Sequence, residues 1–485
     1  MENTSSTKDS KPSDAVLEKT STLSAGEVEH IHNATLYRAI DWRIMPLAFL
    51  CYFLQFLDKV VINYAKVMGL ESSLDMKGQD FSWMATAFFI TYAVAEFPQG
   101  FLLQKLPVSK ILGCNVFCWG VLLACSAAAQ NYAGMVALRA LLGALESIIT
   151  PALVLLTSQW YTRRQACPRT GIWYCGLGAG QIVGGLISWA SQHGSRTSSF
   201  EGWRIMMVAV GAFNILVAFA VIFYLPNSVE SASFLTAGEK EQVLHNLAID
   251  QAGNGPRIFI KAALVEAVID PAVWFLLLAT ILIVIPSGVI TTFSATLVAG
   301  FGYNSKEAAL LNMPSGVISI FATLSSTFAI LFNFPRWLGI VLLLVPTLIG
   351  ACLMSFASDD QASALAGIYL INFCVAPLAL IYALVGSNTQ GYTKKIVTNA
   401  VVQVGFSIAN IIGPQTFQAK EAPGYISAKI TILAVNAAAM VVAVLLRLLY
   451  GWRNSNREKA ANTGPNHVNG EALTDLTNTS FRYVY

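Results

Sequence analysis

The sequence contains few charged residues for its length. Only 12% of its 485 residues are Asp, Glu, Lys or Arg, whereas about 25% is usual in a soluble domain. So little charge cannot cover the water-exposed surface of a protein of this size. With 55% hydrophobic residues and a mean hydropathy of +0.58, much of the surface is expected to face lipid. In lipid the backbone polar groups must be satisfied internally, which leaves helices and closed barrels.

Other features are missing as well. The net charge of +3 comes without a basic stripe that would suggest nucleic-acid binding. The eight cysteines form no CxxC pair, and all but Cys167 lie in apolar segments, so neither a disulfide framework nor a zinc site is expected. Residues 1–44 lack the apolar core of a signal peptide. We therefore expect no metal, no cofactor, no nucleic-acid partner and no enzymatic activity.

Apolar runs of about 20 residues predict transmembrane helices. Twelve such runs are present, at 45–68, 81–104, 108–128, 133–158, 170–192, 203–225, 272–298, 307–331, 337–357, 361–384, 396–415 and 425–448. Six helices, a polar stretch and six more helices indicate an all-α membrane protein with two six-helix bundles, an arrangement typical of secondary transporters. The predicted parts are a disordered cytoplasmic tail (1–44), a first bundle (45–225), a linker (226–270), a second bundle (271–448) and a second cytoplasmic tail (449–485).

The basic residues of the loops predict the orientation. An even number of helices places both termini on one side of the membrane. The short loops on that side contain basic residues and no acid: Lys105, Lys110, Arg163, Arg164, Arg169, Arg336, Lys394 and Lys395. Because cytoplasmic loops are enriched in Lys and Arg, both termini and the linker are expected to be cytoplasmic. Within the linker, Thr236 stands three residues before Glu239, the spacing of a capping box at the start of a surface helix.

Ionisable residues inside the predicted membrane helices are the main functional candidates, because a charge at bilayer depth costs a few kcal/mol or more. Those in the first bundle are Asp58, Lys59, Glu96, Arg139 and Glu146. Asp58 and Lys59 are adjacent, so they point about 100° apart on a helix and each needs another partner. They either form structural ion pairs with neighbouring helices or contact substrate or proton.

The fourth predicted helix contains a second pair of charges. Arg139 and Glu146 lie seven residues apart on one helical face, with Gly143 between them allowing another helix to approach. If the first helix runs outward and the fourth inward, Lys59 and Glu146 reach similar depth and could pair. Such a pair would act either as a static clamp or as a protonatable switch.

Neutral polar residues supply further candidates. Asn63 follows Lys59 by four residues and shares its face. In the second bundle, Ser287, Thr291 and Ser294 share one face, and a similar stripe contains Asn399, Gln403, Ser407 and Asn410. Each stripe either lines a wet cavity or joins helices. Glu96, before Pro98, fits a gate or loop anchor better than a substrate ligand, and the glycines of GIWYCGLGAGQIVGG indicate close helix packing.

Several segments together resemble the major facilitator superfamily, and within it the fungal anion:cation symporters typified by allantoate permease. They are FLDKVVINYAKVMGL, FFITYAVAEFPQGFLLQKLP, TSQWYTRRQACPRTGIWY, the block from GWRIMMVAVG to FYLPNSVESASFLTAGEK, and TNAVVQVGFSIANIIGPQTF. The resemblance implies the major facilitator fold, alternating access and proton-coupled uptake of organic anions such as ureides, nicotinate, pantothenate or biotin. It also implies that the first, fourth, seventh and tenth helices line the cavity.

Two departures from the family pattern are visible. In the superfamily's loop motif after the second helix, here Gly100 to Lys110, Gln104 stands where an Asp is usual, which puts the usual charge-relay gate in doubt. Gln181 stands where the signature of proton antiporters requires proline, which argues against drug export by antiport. The gating candidates are Glu96, Lys105, Arg163 and Arg164.

The sequence thus predicts a monomeric plasma-membrane symporter of a small organic anion and a proton. Lys59, Asn63, Arg139, Ser287 and Thr291 are the predicted substrate-binding residues, and Asp58 or Glu146 is the predicted proton carrier. The alternatives are an exporter of a secondary metabolite with the same fold and, remotely, a membrane receptor that transports nothing.

Overall fold

The computed structural model describes residues 25–194, 200–252, 260–356, 360–421, 425–461, 474–478 and 481–485. These residues are largely helical and contain no β-strand. The helices of the first half and the linker are α1 (Ala25–Val67), α2 (Leu70–Ser73), α3 (Asp80–Lys105), α4 (Val108–Ser126), α5 (Tyr132–Glu146), α6 (Ile149–Trp160), α7 (Arg163–Tyr174), α8 (Gly176–Gly194), α9 (Gly202–Tyr224), α10 (Ala237–Ala252) and α11 (Lys261–Ile269). Those of the second half are α12 (Pro271–Gly300), α13 (Ser305–Leu311), α14 (Met313–Leu331), α15 (Arg336–Phe356), α16 (Gln361–Ile371), α17 (Pro377–Asn388), α18 (Tyr392–Gln415) and α19 (Ile426–Ala461).

The helices form twelve crossing segments in two bundles of six, as the apolar runs predicted. Within the described residues, ten segments are long and apolar enough to cross a membrane. The other two, α3 and the α7–α8 pair, occupy predicted positions but are more polar. Glu96 lies within α3, and α7 contains three arginines. These charges lower the hydropathy of segments that still pack among the other helices.

Both terminal segments lie on the same side as the linker. Near the start of α1, Tyr37 hydrogen-bonds through its hydroxyl to Asn246 of linker helix α10. Near the other end of the chain, Asp475 forms an ion pair with Lys394 at the start of α18. The adjacent hydroxyl of Thr393 accepts a hydrogen bond from the backbone of linker residue Ile260. We call this the terminal side and the opposite side the distal side.

The fourth crossing segment of each bundle is interrupted, where the sequence predicted continuous helices. In the first bundle α5 ends at Glu146 and α6 begins at Ile149. In the second, α16 ends at Ile371 and a 3-10 turn, Asn372–Val375, precedes α17. Hydropathy could not show these breaks because the interrupting residues are themselves largely apolar. Interruptions at matching positions of two halves, inside a membrane protein, are tolerated where the backbone is buried or lines a cavity.

The prediction of a disordered tail over residues 1–44 was wrong from Ala25 onward, because α1 begins there. Residues 1–24 lie outside the described part of the chain. One face of the added helical stretch is buried, at most 6% exposed: Leu36, Tyr37, Ile40 and Ile44. A search for uniformly apolar runs missed this stretch because only one of its faces is apolar.

The predicted tail at 449–485 is also partly structured. Helix α19 continues to Ala461, and the last described residues pack back onto the bundle. Tyr483 is only 3% exposed. Its hydroxyl donates to Asp475 at 2.8 Å, and its backbone N–H donates to Asn454 of α19 at 2.9 Å. The described part of this tail therefore belongs to the second bundle.

A buried ion-pair cluster holds that tail in place. The Nζ atom of Lys394, which is 1% exposed, lies 2.8 Å from Asp270 and 2.9 Å from Asp475. Burial opposes the ionisation of Asp270, but the hydrogen bond from Arg453 and the charge of Lys394 outweigh it and lower the pKa of Asp270. Burial raises the pKa of Asp475. Lys394, expected in an exposed loop, is instead a core residue.

The linker contains the predicted surface helix. Glu239 accepts a hydrogen bond from the Thr236 backbone N–H at 2.8 Å, and Thr236 Oγ1 accepts one from the Glu239 backbone N–H at 3.4 Å. This reciprocal arrangement is a capping box, and α10 begins at the next residue. On the inner face of α10, Val243 and Leu247 are buried. The predicted capping box is confirmed.

Gly143 permits α5 to contact α3 along the backbone, as its position between Arg139 and Glu146 predicted. A methyl group at Gly143 would overlap the backbone oxygen of Phe88 and lie 2.7 Å from the hydroxyl of Thr91. Backbone atoms cannot move aside as a flexible side chain can. The two helices would have to separate, and the charged residues of α5 would move with them.

Replacing Gly143 with alanine should therefore destabilise the protein, by about 1–3 kcal/mol, as is typical of overpacking. Thermal unfolding of the purified protein in detergent measures the effect. Gly100→Ala is the matched control, because an added methyl group there meets nothing within 4 Å. Equal unfolding temperatures for the two variants would show that α3 and α5 are not in close contact.

Candidate functional site

Two ion pairs join α1 to α5 inside the first bundle. Arg139 Nη1 donates to Asp58 Oδ2 at 3.0 Å, and Lys59 Nζ lies 3.8 Å from Glu146 Oε2. Asp58 and Glu146 are fully buried, Arg139 is 3% exposed and the Lys59 side chain is 13% exposed. The sequence predicted that Asp58 and Lys59 each need a partner elsewhere and that Lys59 could reach Glu146. The structure brings these residues together, and we call the four of them the central site.

Residues of α1 and α3 complete the surroundings of Lys59. Its Nζ atom lies 5.5 Å from the ring centroid of Tyr92 and 5.9 Å from that of Phe88. Aromatic faces attract a cation, by about 0.5–2 kcal/mol. The Gln55 amide, one turn before Lys59, donates to the backbone oxygen of Glu146 at 3.3 Å, close to the point where α5 ends. Sequence reasoning missed Tyr92, Phe88 and Gln55 because neutral residues on membrane helices give no signal of their own.

The central site retains unused hydrogen-bonding capacity. Among the described residues, no hydrogen-bond partner exists for Asp58 Oδ1, for Nε and Nη2 of Arg139, or for either carboxylate oxygen of Glu146. Buried polar atoms without partners are costly. The charges balance as two acids and two bases. A site of this kind can accept a proton on a carboxylate and an anionic group on a cation without acquiring a large net charge.

The second bundle presents polar groups to the first across the interface. The hydroxyl of Tyr382 on α17 donates to Gln403 Oε1 on α18 at 2.6 Å. Tyr382 also lies within electrostatic reach of Tyr92 and Glu96 on α3. Gln403 belongs to the predicted polar stripe of α18. It bonds to Tyr382 of α17 and faces Glu96 of the other bundle, so the cavity and the helix-joining interpretations of the stripe both stay open.

The two predicted binding residues of α12 contact each other. The Thr291 hydroxyl donates to the backbone oxygen of Ser287 at 2.7 Å, and Thr291 is 8% exposed. This bond stays within one helix, so it leaves the hydroxyl oxygen of Thr291 able to accept a further hydrogen bond. Ser287 and Thr291 remain predictions as ligands.

Asn63, predicted to bind substrate, has another role in this structure. Its amide nitrogen donates to the hydroxyl of Ser294 at 2.8 Å, and its amide oxygen accepts from the backbone N–H of Ala295 at 3.1 Å. Asn63 is fully buried. The prediction rested on the face that it shares with Lys59, but one helical turn further along α1 that face meets α12 of the other bundle. Asn63 thus joins the two bundles.

Further hydrogen bonds between the bundles lie on the distal side or toward it. The Asn312 amide donates to the hydroxyl of Tyr64 at 3.1 Å, and Gln415 donates to Thr86 at 2.7 Å. Gln181 donates to Asn372 in the interruption of the tenth segment at 3.1 Å. The residue that departs from the antiporter signature thus holds the two bundles together. These bonds show the bundles closed against each other on the distal side.

The predicted gating residues occupy different environments. Glu96 faces Gln403 across the bundle interface. Lys105 is exposed, with its Nζ atom 4.7 Å from the ring centroid of Phe101 in the same helix. Arg164 is exposed, and the side chain of Arg163 lies outside the described residues. Gating by these four residues remains a prediction.

Sequence reasoning missed one strong ion pair on the terminal side. Arg169 donates to both carboxylate oxygens of Asp41, at 2.6 and 2.7 Å, which is the bidentate geometry of a strong pair. Its guanidinium carbon lies 4.2 Å from the ring centroid of Tyr161. Asp41 was assigned to a disordered tail, so no partner for Arg169 was sought. The pair fixes the start of α1 against α7.

The described residues contain no group of three or more His, Cys, Asp or Glu side chains arranged to hold a metal ion.

Comparison with known proteins identifies relatives of the whole chain. The sequence model of the family described as Major Facilitator Superfamily matches residues 48–414. The thiamine pathway transporter THI73 of Saccharomyces cerevisiae is 34% identical over 94% of this chain and 87% of its own length. Allantoate permease of the same yeast is 31% identical over 92% of this chain and 85% of its own length.

Comparison with solved structures finds a membrane transporter of similar fold. The crystal structure of a bacterial homologue of the human lysosomal transporter Spinster, in an inward-facing and occupied conformation, superposes with a TM-score of 0.61. The match covers 85% of this chain and 96% of that one, at 17% sequence identity. At this identity the likeness concerns the fold alone.

Proposed function

Because this chain belongs to the major facilitator superfamily of membrane transporters, we propose that it is a proton-coupled symporter of a small organic anion that works by alternating access. The observation that carries the proposal is the buried Lys59–Glu146 ion pair beside Asp58–Arg139. Buried charges of this kind are expensive in a membrane and are retained for function. One relative is named for allantoate, a carboxylate, which fits a site built around a lysine.

Lys59 is the proposed anion ligand. It is the most exposed of the four charged residues of the central site, and its pair with Glu146 is the longer of the two. Arg139 is already bonded to Asp58 at 3.0 Å, so it is less free to meet a substrate. Tyr92 and Phe88 hold the ammonium group from one side and leave its other donors for a carboxylate.

Glu146 is the proposed proton carrier rather than Asp58. Asp58 already has a close cationic partner, because the guanidinium of Arg139 donates to it at 3.0 Å. Within the described residues, neither carboxylate oxygen of Glu146 accepts a hydrogen bond, and its ion-pair partner is Lys59 at 3.8 Å. Protonation of Glu146 removes one long ion pair and frees Lys59 for the anion. Binding of the proton and of the anion are thereby linked.

Alternating access follows from the arrangement of the contacts between the bundles. Asn63, Tyr64 and Thr86 of the first bundle bond to the second bundle toward the distal side. Opening on the distal side requires these bonds to break, while the central site remains near mid-membrane. A rocking motion about this site exposes Lys59 to each side in turn. The symporter acts as a monomer in this proposal.

The positive charges of the terminal-side loops support a cytoplasmic terminal side; the proposed location is the plasma membrane. Three Asn-x-Ser/Thr sequons, at Asn3, Asn33 and Asn478, should then carry no glycan. The Asn478 side chain donates to Gln390 at 2.9 Å, which fits an unmodified amide; the side chains of Asn3 and Asn33 lie outside the described residues. Cys167, which is partly exposed, should react with a thiol reagent only from the cytoplasm. A glycosidase-sensitive mass shift at any of these asparagines would show that the terminal side is not cytoplasmic.

Transport assays in proteoliposomes test the proposed function. Allantoate, nicotinate, pantothenate and biotin are offered in turn under an imposed pH gradient, with a protonophore as the control. We expect at least one of these anions to accumulate against its gradient, and the protonophore to abolish the accumulation. Uptake of every anion at the rate of empty liposomes would refute the proposal.

A further inference from the structure

A second cationic site lies on the distal side, at the mouth of the closed interface. A pocket of about 440 Å³ there is lined by residues of both bundles, among them Lys66, Glu71, Phe81 and Phe293. Lys66 lies in the last turn of α1, Phe81 in the first turn of α3 and Phe293 in the second half of α12. We call it the distal pocket. The pocket is separate from the central site, which lies deeper along α1.

Lys66 is held at the floor of the distal pocket by groups from both bundles. Its Nζ atom lies 4.3 Å from the ring centroid of Phe81 and 4.8 Å from that of Phe293. Phe293 in turn stacks on Phe417, with ring centroids 4.2 Å apart. The aromatic rings close the interface beneath the ammonium group. When the bundles separate on the distal side, Lys66 keeps Phe81 of its own bundle and loses Phe293.

A carboxylate already occupies the pocket side of Lys66. Glu71 Oε1 lies 3.0 Å from Lys66 Nζ, and the Glu71 side chain is 39% exposed while that of Lys66 is 14% exposed. An exposed carboxylate on a partly buried ammonium group is a weak and replaceable partner. The position of the Glu71 carboxylate is therefore one that the carboxylate of a small organic anion can take.

Helix α1 connects the distal pocket to the central site. Lys59, Asn63 and Lys66 follow one another at spacings of four and three residues, so they lie along one helical face. That face begins at the proposed anion ligand, passes the buried Asn63–Ser294 bond between the bundles and ends in the pocket. An anion released from Lys66 while the distal side is open would meet Lys59 next along the same helix.

We propose that the distal pocket is a docking site for the transported organic anion, in which the substrate carboxylate replaces Glu71 on Lys66 before the bundles separate. The inference rests on the proposed function, because it assumes anion transport through the central site. It assigns Lys66 to capture of the anion, whereas Lys59 holds the anion during transport. In the alternative, Lys66 binds no substrate and only stabilises the fold through its contacts with Glu71 and the aromatic rings.

The test compares uptake kinetics from the distal side with equilibrium binding in detergent. The probe is whichever of allantoate, nicotinate, pantothenate and biotin the wild type accumulates. Lys66→Gln should raise KM about fivefold with kcat unchanged, since a partly exposed charge interaction is worth about 1 kcal/mol. Lys66→Arg should restore most of the affinity. Binding of the same anion in detergent should be unchanged by Lys66→Gln, because the central site is intact.

Glu71→Gln separates docking from bracing. If Lys66 docks the anion, loss of the competing carboxylate should lower KM or leave it unchanged; if Lys66 acts only through Glu71, this variant should raise KM as Lys66→Gln does. Lys420→Gln is the matched control, because that lysine is exposed in the distal loop between α18 and α19 and does not line the pocket, so it should keep the wild-type KM. A wild-type KM in Lys66→Gln, with transport itself intact, overturns the docking site alone. Absence of transport of all four anions by the wild type overturns the proposed function and the docking site with it.

Discussion

Replacement of Glu146 by glutamine should abolish accumulation of the anion driven by a pH gradient while leaving exchange of the anion across the membrane. Glutamine resembles the protonated carboxyl group in size and in its neutrality, so Lys59 is permanently free to bind the anion. With no group that takes up and releases a proton at this position, binding of the anion is no longer linked to the gradient. Uptake in proteoliposomes with and without an imposed gradient, and counterflow at equal pH, measure the two activities.

Two variants make this result specific. Glu241→Gln, on the exposed face of linker helix α10, removes an equal charge away from the membrane helices and should behave as the wild type. Asp58→Asn leaves Arg139 as a buried cation without its partner, so it should reduce the amount of folded protein, since breaking a buried pair costs about 3–5 kcal/mol. If Asp58→Asn lost accumulation driven by the pH gradient while Glu146→Gln kept it, Asp58 rather than Glu146 would be the proton carrier.

Replacement of Lys59 by glutamine should lower the affinity for the anion about tenfold or more, equivalent to a loss of at least about 1.4 kcal/mol. Glutamine keeps hydrogen-bonding capacity but removes the positive charge that attracts the carboxylate. The variant also leaves Glu146 without its ion-pair partner. Apparent affinity from uptake kinetics, corrected for the amount of protein at the membrane, is the measurement.

The conservative and control variants decide between binding and folding. Lys59→Arg retains the charge with a different shape, so part of the activity should remain. Lys261→Gln, an exposed lysine of α11, should have no effect. Normal apparent affinity in Lys59→Gln would make Lys59 a structural partner of Glu146 and leave Arg139 as the anion ligand.

One of the two ion pairs of the central site, Lys59–Glu146, could be predicted from sequence for a physical reason, whereas the pairing of Asp58 with Arg139 was not predicted. Adjacent charges on one helix point apart, and a charge within the membrane must be compensated from another element. Helix direction and approximate depth then sufficed to pair Lys59 with Glu146. The same reasoning correctly gave Gly143 as a point of close approach, because a glycine between two charged residues on one helical face permits backbone contact.

The level at which α1 meets the second bundle could not be predicted in the same way. Asn63 and Lys59 share a face of α1, yet Asn63 bonds to α12 of the other bundle, whereas Lys59 pairs with α5 of its own bundle. Spacing along one helix carries no information on where a second bundle comes into contact. The aromatic partners of Lys59 lie on α3 of its own bundle, and they were missed because neutral residues on membrane helices give no signal of their own.

The ends of the chain illustrate a different limit. The start of α1 is amphipathic rather than apolar. Lys394 is buried against Asp270 and against Asp475, which lies some 80 residues later and folds back onto it. Composition assigned both regions to solvent. Burial of the lysine depends on a distant segment whose own sequence appears polar, and no local pattern reveals such a contact.

Proton uptake on binding of the anion tests the central claim most directly. Calorimetric titration of the purified protein with the transported anion, in buffers of different ionisation enthalpy at one neutral pH, counts the protons bound. In the proposed mechanism the anion replaces Glu146 on Lys59, and Glu146 takes up a proton. The wild type should therefore take up about one proton per anion, whereas Glu146→Gln should bind the anion with no proton uptake. Binding to the wild type without proton uptake, or equal uptake in the wild type and Glu146→Gln, would contradict the account.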